Sequence, residues 1–330
     1  MKLSRRMLRL YVEAGRLFSL DVELTYRCPL RCRHCYQRGY HSLELSTEEW
    51  VEVMDDARAM GVVNFGFTGG EVLVRSDFSE LLGAAAKRGF RVFINTTGSG
   101  ANEDTIEAFA AARPAQVDVS FYAADATSHD ALTGRPGSFD ESLQFVRTLV
   151  GRGLFVRGAF TPLRGISDDP IGARDALIGL GVPRVVWNRF DHTICRDQES
   201  AQLLVPDPAS LSAIVQEEST VGRFKVADAI CGAGISSLLV RPDGMLVPCH
   251  AMAMVLGNVT QESLQSIWSN SPILAELRAR SRSQLPHCTQ CPDWEACGYC
   301  PAEAERITGD WRDPAPGFCH RLGQPKEVDK

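Results

Sequence analysis

The sequence predicts an α/β protein: a partial (βα)6 barrel of TIM-like topology, followed by a small cysteine-rich domain. The barrel is predicted because short β-rich runs alternate with helix-like segments between Phe18 and Phe190, and because the connections between them are short. Alternating strands and helices form right-handed βαβ units, whose strands lie parallel in one sheet. The second domain is predicted because this alternation ends after the sixth strand, and cysteines then recur as far as Cys319.

The predicted elements follow one another in regular order. The strands are 18–25, 62–67, 91–95, 116–122, 154–160 and 184–190. The helices are 46–60, 76–88, 102–112, 138–151 and 168–180. Ser46 and Ser138 each stand three residues before a glutamate, which is the capping-box pattern of a helix start. The predicted domains are the barrel (1–190), a polar bridge (191–225) and the cysteine-rich domain (226–330).

Composition excludes several classes of protein. A chain of 330 residues can form one large and one smaller domain. Its formal net charge of −6 gives no basic surface for nucleic acid. Charged residues at Arg9, Glu13 and Arg16 interrupt the first apolar run, so neither a secretory signal nor a membrane span is predicted. We therefore expect a cytoplasmic protein that binds neither nucleic acid nor membrane.

The cysteines indicate a metal-binding protein. Eleven cysteines in a chain without a predicted export signal favour metal ligation over disulfides. Cys28, Cys32 and Cys35 have the spacing C-x3-C-x2-C directly after the first predicted strand. Three thiolates on one loop can bind three irons of a [4Fe–4S] cluster, which normally takes four cysteines, so one iron keeps an open coordination position. By spacing alone, the three cysteines could equally belong to a zinc site.

A second motif, Thr68-Gly-Gly-Glu71, ends the second predicted strand. In parallel α/β sheets the functional loops gather at the carboxyl ends of the strands. The cysteine loop, the Gly-Gly-Glu segment, Asn95 and Ser120 all follow strand ends. The sequence therefore predicts that one rim of the sheet carries the functional site.

A C-x3-C-x2-C loop after the first strand, combined with Gly-Gly-Glu after the second, resembles the radical S-adenosylmethionine (radical SAM) family. The resemblance implies that Cys28, Cys32 and Cys35 hold a catalytic [4Fe–4S] cluster whose open iron binds S-adenosylmethionine (SAM). The implied SAM contacts are Gly69, Gly70 and Glu71 for the methionyl ammonium, with Glu71 as counter-charge, Ser120 and Asn95 for the ribose or carboxylate, and His34 and Tyr36 for the adenine. Ordinary turn or solvated-loop roles are the alternatives for the last four residues.

The carboxyl-terminal region resembles the SPASM extension of this family, which implies two auxiliary [4Fe–4S] clusters. The implied ligands are Cys288, Cys291, Cys297 and Cys319 for one cluster, and Cys231, Cys249 and Cys300 for the other. The second set lacks a fourth thiolate, which implies either an iron open to substrate or a ligand from elsewhere, such as Cys195 or Asp228. One spacing departs from the family, because Gly298 and Tyr299 make the gap before Cys300 one residue shorter than usual. Taken alone, the two C-x2-C pairs are typical of a zinc ribbon.

Two further residues are candidates for catalysis. Cys195 lies just beyond the sixth predicted strand, and we expect it near the mouth of the barrel. Radical SAM epimerases with auxiliary clusters use such a thiol to donate a hydrogen atom; a cluster ligand or an inert buried thiol are the alternatives. His250 directly follows Cys249 and could act as a base near neutral pH, or simply pack beside the ligand.

The leading prediction is hydrogen abstraction by a deoxyadenosyl radical, followed by epimerisation of a small polar substrate of the amino sugar or aminocyclitol type. Cys195 is the predicted hydrogen donor. The alternatives are dehydrogenation of an alcohol carbon with an auxiliary cluster as electron acceptor, and maturation of a ribosomal peptide. The first cluster cysteine is already Cys28, so we expect no separate peptide-recognition domain before it, although some peptide maturases lack that domain. The expected partners are the small-molecule or peptide substrate and an electron donor such as flavodoxin or ferredoxin.

Overall fold

A computed structural model describes residues 2–37, 43–188, 190–195, 197–207, 210, 229–252, 254–285, 288–289 and 299–313. Its strands are β1 (Ser19–Glu23), β2 (Asn64–Thr68), β3 (Arg91–Thr96), β4 (Gln116–Phe121), β5 (Val156–Phe160), β6 (Val185–Trp187), β7 (Ser237–Val240), β8 (Met245–Val247) and β9 (Gly257–Asn258). Its helices are α1 (Lys2–Glu13), α2 (Thr47–Ala59), α3 (Phe78–Lys87), α4 (Glu103–Ala112), α5 (Ala126–Thr133), α6 (Ser138–Gly151), α7 (Pro170–Gly179), α8 (Gln198–Gln202), α9 (Leu264–Asn270), α10 (Pro272–Ala279) and α11 (Pro301–Thr308). The predicted ligands Cys291, Cys297, Cys319 and Asp228 lie outside the described residues.

The strands form one open sheet in the order β6-β5-β4-β3-β2-β1-β7-β8-β9. Strands β1 to β7 pair in parallel, whereas β8 and β9 pair antiparallel. The six predicted strands are all present, and the predicted partial (βα)6 barrel is confirmed. The sheet nevertheless continues into the predicted cysteine-rich domain, because β7 joins the free edge of β1. The domain boundaries therefore stay a prediction.

The core lies between the sheet and its helices. Leu20 and Val22 of β1 and Phe65 and Phe67 of β2 are buried there. Because successive side chains of a strand point to opposite faces, the residues between them form the other face of the sheet. This inner face is polar, and β1 contributes Ser19, Asp21 and Glu23 to it. A molecule bound inside the open barrel would contact this face.

The predicted capping box of α2 is confirmed. The Ser46 hydroxyl accepts a hydrogen bond from the Glu49 amide at 3.2 Å, and the Glu49 carboxylate accepts one from the Ser46 amide at 2.7 Å. Both groups satisfy amides that the helix itself leaves unpaired. Because donors and acceptors lie within three residues of each other, the sequence pattern was sufficient to predict this cap.

The predicted capping box at Ser138 is wrong. Ser138 is the first residue of α6, follows Gly137 (φ 85°), and is buried. Its hydroxyl donates to Asp130 Oδ1 at 2.8 Å. Asp130 also accepts hydrogen bonds from the amides of Gly137 and Phe139 at 2.5 and 2.9 Å. The cap therefore comes from α5, a helix that the sequence analysis did not predict.

The chain thus has helices beyond the predicted ones, of which α1 and α5 are examples. In the part of the chain that the structure describes, none of the helices has an apolar stretch of the length that a bilayer crossing requires.

Candidate functional site

The three amino-terminal cysteines lie on one loop (Cys28–Cys35, the triad loop) that leaves the carboxyl end of β1. The Arg31 amide donates to Thr133 O at 2.7 Å, and the Arg33 amide donates to Leu132 O at 3.2 Å. These carbonyls belong to the last turn of α5, where a helix leaves carbonyl groups unpaired. Helix α5 therefore holds the triad loop in place.

The thiols of the triad loop fit an iron–sulfur cluster. The Leu30 amide donates to Cys28 Sγ at 3.4 Å, an N–H···S bond of the kind that tunes cluster thiolates. Burial raises the pKa of Cys28 to about 12 and also raises the pKa of Cys32, with a further increase from Cys35. Thiols in this state stay protonated until a metal displaces the proton. Among the described residues, no three His, Cys, Asp or Glu side chains converge on one metal-ion position.

The Gly-Gly-Glu segment lies directly against the chain that leads into the triad loop. The Gly70 amide donates to Thr25 O at 2.6 Å, and the Glu71 amide donates to Arg27 O at 2.9 Å. A Cβ at Gly69, whose φ is 143°, would stand 2.5 Å from Thr25 O, and one at Gly70 would stand 2.4 Å from Arg27 O. Only glycine permits this approach of two backbones. The structure thus brings the two predicted motifs together.

The side chain of Glu71 faces the end of β3. Its Oε1 accepts from Thr96 Oγ1 at 2.5 Å and from the Leu73 amide at 3.1 Å. Its Oε2 accepts from the amide and hydroxyl of Thr97 at 2.7 and 2.5 Å. Burial raises the pKa of Glu71, and these hydrogen bonds partly offset the increase. Four donors fill the acceptor positions of a carboxylate. The side chain thus has no free acceptor position for a hydrogen bond to SAM, and its predicted role as counter-charge to the methionyl ammonium stays a prediction.

An aromatic wall (His34, Tyr122 and Phe190) stands beside the triad loop. The His34 ring centroid lies 4.5 Å from that of Tyr122 and 6.0 Å from that of Phe190. Burial lowers the pKa of His34 to about 4, and His34 Nδ1 is buried without a hydrogen-bond partner among the described residues. A neutral ring with an unsatisfied nitrogen fits a planar heterocycle, so the adenine contact of His34 stays a prediction with geometric support.

Tyr122 lies on the predicted functional rim, but the sequence analysis assigned it no role. Its hydroxyl interacts with the side chains of Ser120 and Cys32, and burial raises its pKa. The only signal in the sequence is an aromatic residue directly after a strand end. Ser120 and Asn95 do lie at the ends of β4 and β3, and Asn95 is exposed on the inner face. Their contacts with SAM stay predictions.

Tyr36 points away from the aromatic wall. Its hydroxyl donates to Glu23 Oε1 at 2.9 Å, and Gln37 Nε2 donates to the same oxygen at 2.8 Å. The Tyr26 hydroxyl donates to Glu23 Oε2 at 3.0 Å. The Tyr36 ring lies 5.5 Å from the ring of His250, which is exposed. The structure therefore places Tyr36 and His250 on the β1 side of the triad loop, whereas the aromatic wall lies on the β4 side.

Cys195 lies against the triad loop. The residue is 4% exposed, and its thiol donates to His34 O at 3.0 Å. Burial raises the pKa of Cys195 to about 12, with further increases from Asp191 and Cys35. The thiol is therefore protonated at neutral pH and adjacent to the predicted catalytic cluster.

Arg306 of α11 anchors the turn that carries Cys195. Its Nη2 donates to Asp191 Oδ2 at 2.6 Å and its Nε donates to Thr193 Oγ1 at 2.8 Å, while Nη1 donates to Ala251 O. The helix of Arg306 begins directly after Cys300. A segment of the cysteine-rich region therefore fixes a part of the candidate active site, which no local sequence signal indicated.

Three of the described auxiliary cysteines, Cys231, Cys249 and Cys300, lie near one another, and their role as cluster ligands stays a prediction. Burial raises the pKa of Cys249 to about 11, and the proximity of Cys231 and Cys300 raises it further. The Ala233 amide donates to Cys231 Sγ at 3.4 Å. Cys288 packs against a separate small apolar cluster that includes Leu285 and Tyr299. Cys195 contacts the triad loop, so the structure gives no support to its alternative role as a ligand of the second auxiliary cluster.

Comparison with known proteins agrees with this arrangement. The radical SAM superfamily matches residues 22–175, and the SPASM iron–sulfur cluster-binding domain matches residues 231–292. SuiB of Streptococcus suis bound to S-adenosylmethionine has a TM-score of 0.75 at 16% identity, covering 92% of this chain and 77% of that one. SuiB bound to the precursor peptide SuiA has a TM-score of 0.74 at 16% identity, covering 95% and 79%. Native anSMEcpe with bound AdoMet and Cp18Cys peptide has a TM-score of 0.73 at 13% identity, covering 93% and 95%.

Structural similarity at such low identity shows the fold alone, whereas the two domain matches coincide with the two cysteine regions. The matched domains bind a catalytic [4Fe–4S] cluster with SAM and auxiliary iron–sulfur clusters respectively, so the predicted classes of cofactor are confirmed. The chain belongs to the radical SAM superfamily and carries a carboxyl-terminal SPASM domain.

Proposed function

We propose that this enzyme epimerises a carbon of a small polar substrate, of the amino sugar or aminocyclitol type, with Cys195 as the hydrogen-atom donor. One observation carries the proposal: the protonated Cys195 thiol is buried against the triad loop, with Sγ 3.0 Å from His34 O. A thiol in this place can reach a substrate radical formed beside the cluster.

The reaction balances as two hydrogen-atom transfers. When bound, the cluster and SAM supply a 5′-deoxyadenosyl radical. The substrate C–H bond breaks, which gives 5′-deoxyadenosine and a carbon radical. The Cys195 S–H bond then breaks and a new C–H bond forms on the opposite face of the carbon. One electron from a low-potential donor of the flavodoxin or ferredoxin class, together with one proton from solvent, converts the remaining thiyl radical back to the thiol.

The surroundings of Cys195 suit this role. Hydrogen-atom transfer needs an intact S–H bond, and burial together with Asp191 keeps the thiol protonated because both raise its pKa. Arg306 holds the turn on the other side through Asp191 and Thr193. The hydrogen donor is thus fixed before the substrate arrives, which favours transfer over quenching by solvent.

Dehydrogenation of an alcohol carbon is a second candidate, because His250 lies on the opposite side of the triad loop beside Tyr36. The exposed imidazole could accept a proton from the substrate radical while an iron–sulfur centre accepts the electron. The product would be a ketone with no solvent hydrogen at the reacting carbon. Peptide maturation is a third candidate, since the folds of SuiB bound to the precursor peptide SuiA and of anSMEcpe bound to a peptide resemble this one.

Turnover in D2O separates these reactions. Anaerobically reconstituted enzyme, dithionite and SAM are incubated with a panel of amino sugars and aminocyclitols, and the products are analysed by mass spectrometry and NMR. The wild-type enzyme should place one solvent deuterium on the inverted carbon. Cys195→Ala should form deoxyadenosine but no epimer.

Cys195→Ser is the matched variant, because its hydroxyl can keep the hydrogen bond to His34 O while its stronger O–H bond cannot donate a hydrogen atom. It should also fail to form the epimer. Epimer formation by either variant would remove Cys195 from the reaction. A ketone product without deuterium would favour dehydrogenation.

A further inference from the structure

We propose that Asp21 binds an ammonium group of the substrate on the inner face of the sheet. The inference rests on the proposed function in taking the substrate to be a small polar molecule. Asp21 is the middle residue of β1, and its neighbours Leu20 and Val22 are fully buried in the core on the opposite face. Its side chain therefore faces the space that the open barrel surrounds.

The neighbouring strand β2 leaves space for this carboxylate. Asp21 pairs in register with Gly66 of β2, which in turn pairs with Phe93 of β3. A Cβ at Gly66 would stand 2.0 Å from Asp21 Oδ1, and its three nearest atoms would all belong to Asp21. The carboxylate thus occupies the volume that any other residue at position 66 would fill. It leans over β2, toward the middle of the inner face.

Asp21 is the carboxylate that the protein leaves without a partner there. Among the described residues it forms no hydrogen bond and no ion pair, although it is exposed to the inner space. Glu23 and Asp118, the other carboxylates of this face, do have partners. Glu23 accepts hydrogen bonds from Tyr26, Tyr36 and Gln37. Asp118 forms a bidentate ion pair with Arg157 at 2.7 and 2.8 Å.

The electrostatics agree with a ligand of positive charge. Burial alone, with no charged neighbour contributing, raises the pKa of Asp21 to about 6. The surrounding protein thus crowds the carboxylate, which stays open to the inner space on one side, and provides no compensating cation. An ammonium group supplies both the charge and the hydrogen-bond donors, whereas a hydroxyl group supplies only a neutral donor. The site should therefore distinguish an amine from the corresponding alcohol.

Binding of glucosamine and of glucose to the reconstituted enzyme, with SAM present, tests this distinction by calorimetry at about pH 7. Wild-type enzyme should bind glucosamine about tenfold or more tightly than glucose, because the charge-assisted contact is made only by the amine. Asp21→Asn keeps the shape but removes the charge, and should abolish the preference. Gly66→Ala keeps the charge but displaces the carboxylate, and should weaken the preference as well.

Asp175→Asn is the matched control, since this exposed aspartate of α7 pairs only with Arg174 at 2.6 Å. Iron content and circular dichroism check that each variant is folded. Equal affinities for the two sugars, no binding of glucosamine, or a preference that survives Asp21→Asn overturns the inference. This assay is independent of hydrogen transfer, so failure of deuterium incorporation would refute the role of Cys195 and leave the binding difference intact.

Discussion

Replacement of Arg306 by alanine should uncouple deoxyadenosine formation from epimerisation. Arg306 donates to Asp191 at 2.6 Å and to Thr193 at 2.8 Å, and Cys195 lies at the end of the same turn. The Asp191 side chain is only 10% exposed and that of Arg306 27%. Removal of the guanidinium therefore leaves a largely buried carboxylate without its counter-charge, beside the thiol that should donate hydrogen.

The expected size of the effect follows from these contacts. A hydrogen bond to a charged group contributes about 1.5–3 kcal/mol. Because about 1.4 kcal/mol corresponds to a factor of ten, the population of the correctly placed turn should fall about tenfold or more. The yield of epimer per deoxyadenosine should fall by the same factor. Arg306→Lys should lie between wild type and alanine, since it keeps the charge but not the planar fork that contacts both Asp191 and Thr193.

The assay measures epimer, deoxyadenosine and incorporated deuterium in the same anaerobic reaction. Arg312→Ala is the matched control, because this arginine lies in the same region but forms an exposed pair with Asp310. Exposed pairs contribute little, so its coupling ratio should equal that of the wild type. A wild-type ratio in Arg306→Ala would show that the turn does not depend on α11, and would refute the reasoning.

Three further outcomes are expected. Gly70→Ala should destabilise the site and reduce SAM binding, because its Cβ would stand 2.4 Å from Arg27 O. Gly83→Ala in α3, whose Cβ would have nothing within 4 Å, should instead raise the free energy of unfolding by about 0.5–1 kcal/mol. Similar losses of stability in both variants would contradict this prediction. Burial raises the pKa of Asp21 from 3.8 to about 6, so between these values the native state binds more protons than the unfolded chain, and wild type should lose stability relative to Asp21→Asn as pH rises. Urea titrations across that window measure the difference, and a constant difference would refute it. Elemental analysis should find about twelve Fe per chain in the reconstituted wild type and about eight when the triad-loop cysteines are alanine, while near-stoichiometric zinc would contradict the auxiliary clusters.

The fold was largely predictable because its determinants are local. Alternating apolar residues mark each strand of the barrel, and the Ser46 box caps α2 with groups three residues apart. The prediction failed at Ser138, where the acceptor is Asp130 in an unpredicted helix. That helix also binds the triad loop, so it matters for the site even though its sequence carries no clear apolar period.

The site was predictable where spacing along the chain defines it. The triad loop and the Gly-Gly-Glu segment meet because both follow neighbouring parallel strands. By contrast, two contacts of the site join residues that are far apart in sequence. These are the hydrogen bond between Glu71 and Thr96 of β3 and the ion pair between Arg306 and Asp191. Asp21 did carry a signal, since polar residues alternate with apolar ones along β1, but the unpaired state of its carboxylate follows only from the register with Gly66.

The geometry around the triad loop bears on why one fold can support different outcomes after the same first step. The aromatic wall and Cys195 lie toward β4, while Tyr36 and His250 lie toward β1 and β8. A substrate radical held between these sides would meet the proposed hydrogen donor Cys195 on one and the candidate base His250 on the other. The outcome then depends on how the substrate is anchored. A carboxylate seated on β1 would hold an amine at a fixed position and so determine which side the reacting carbon presents to Cys195.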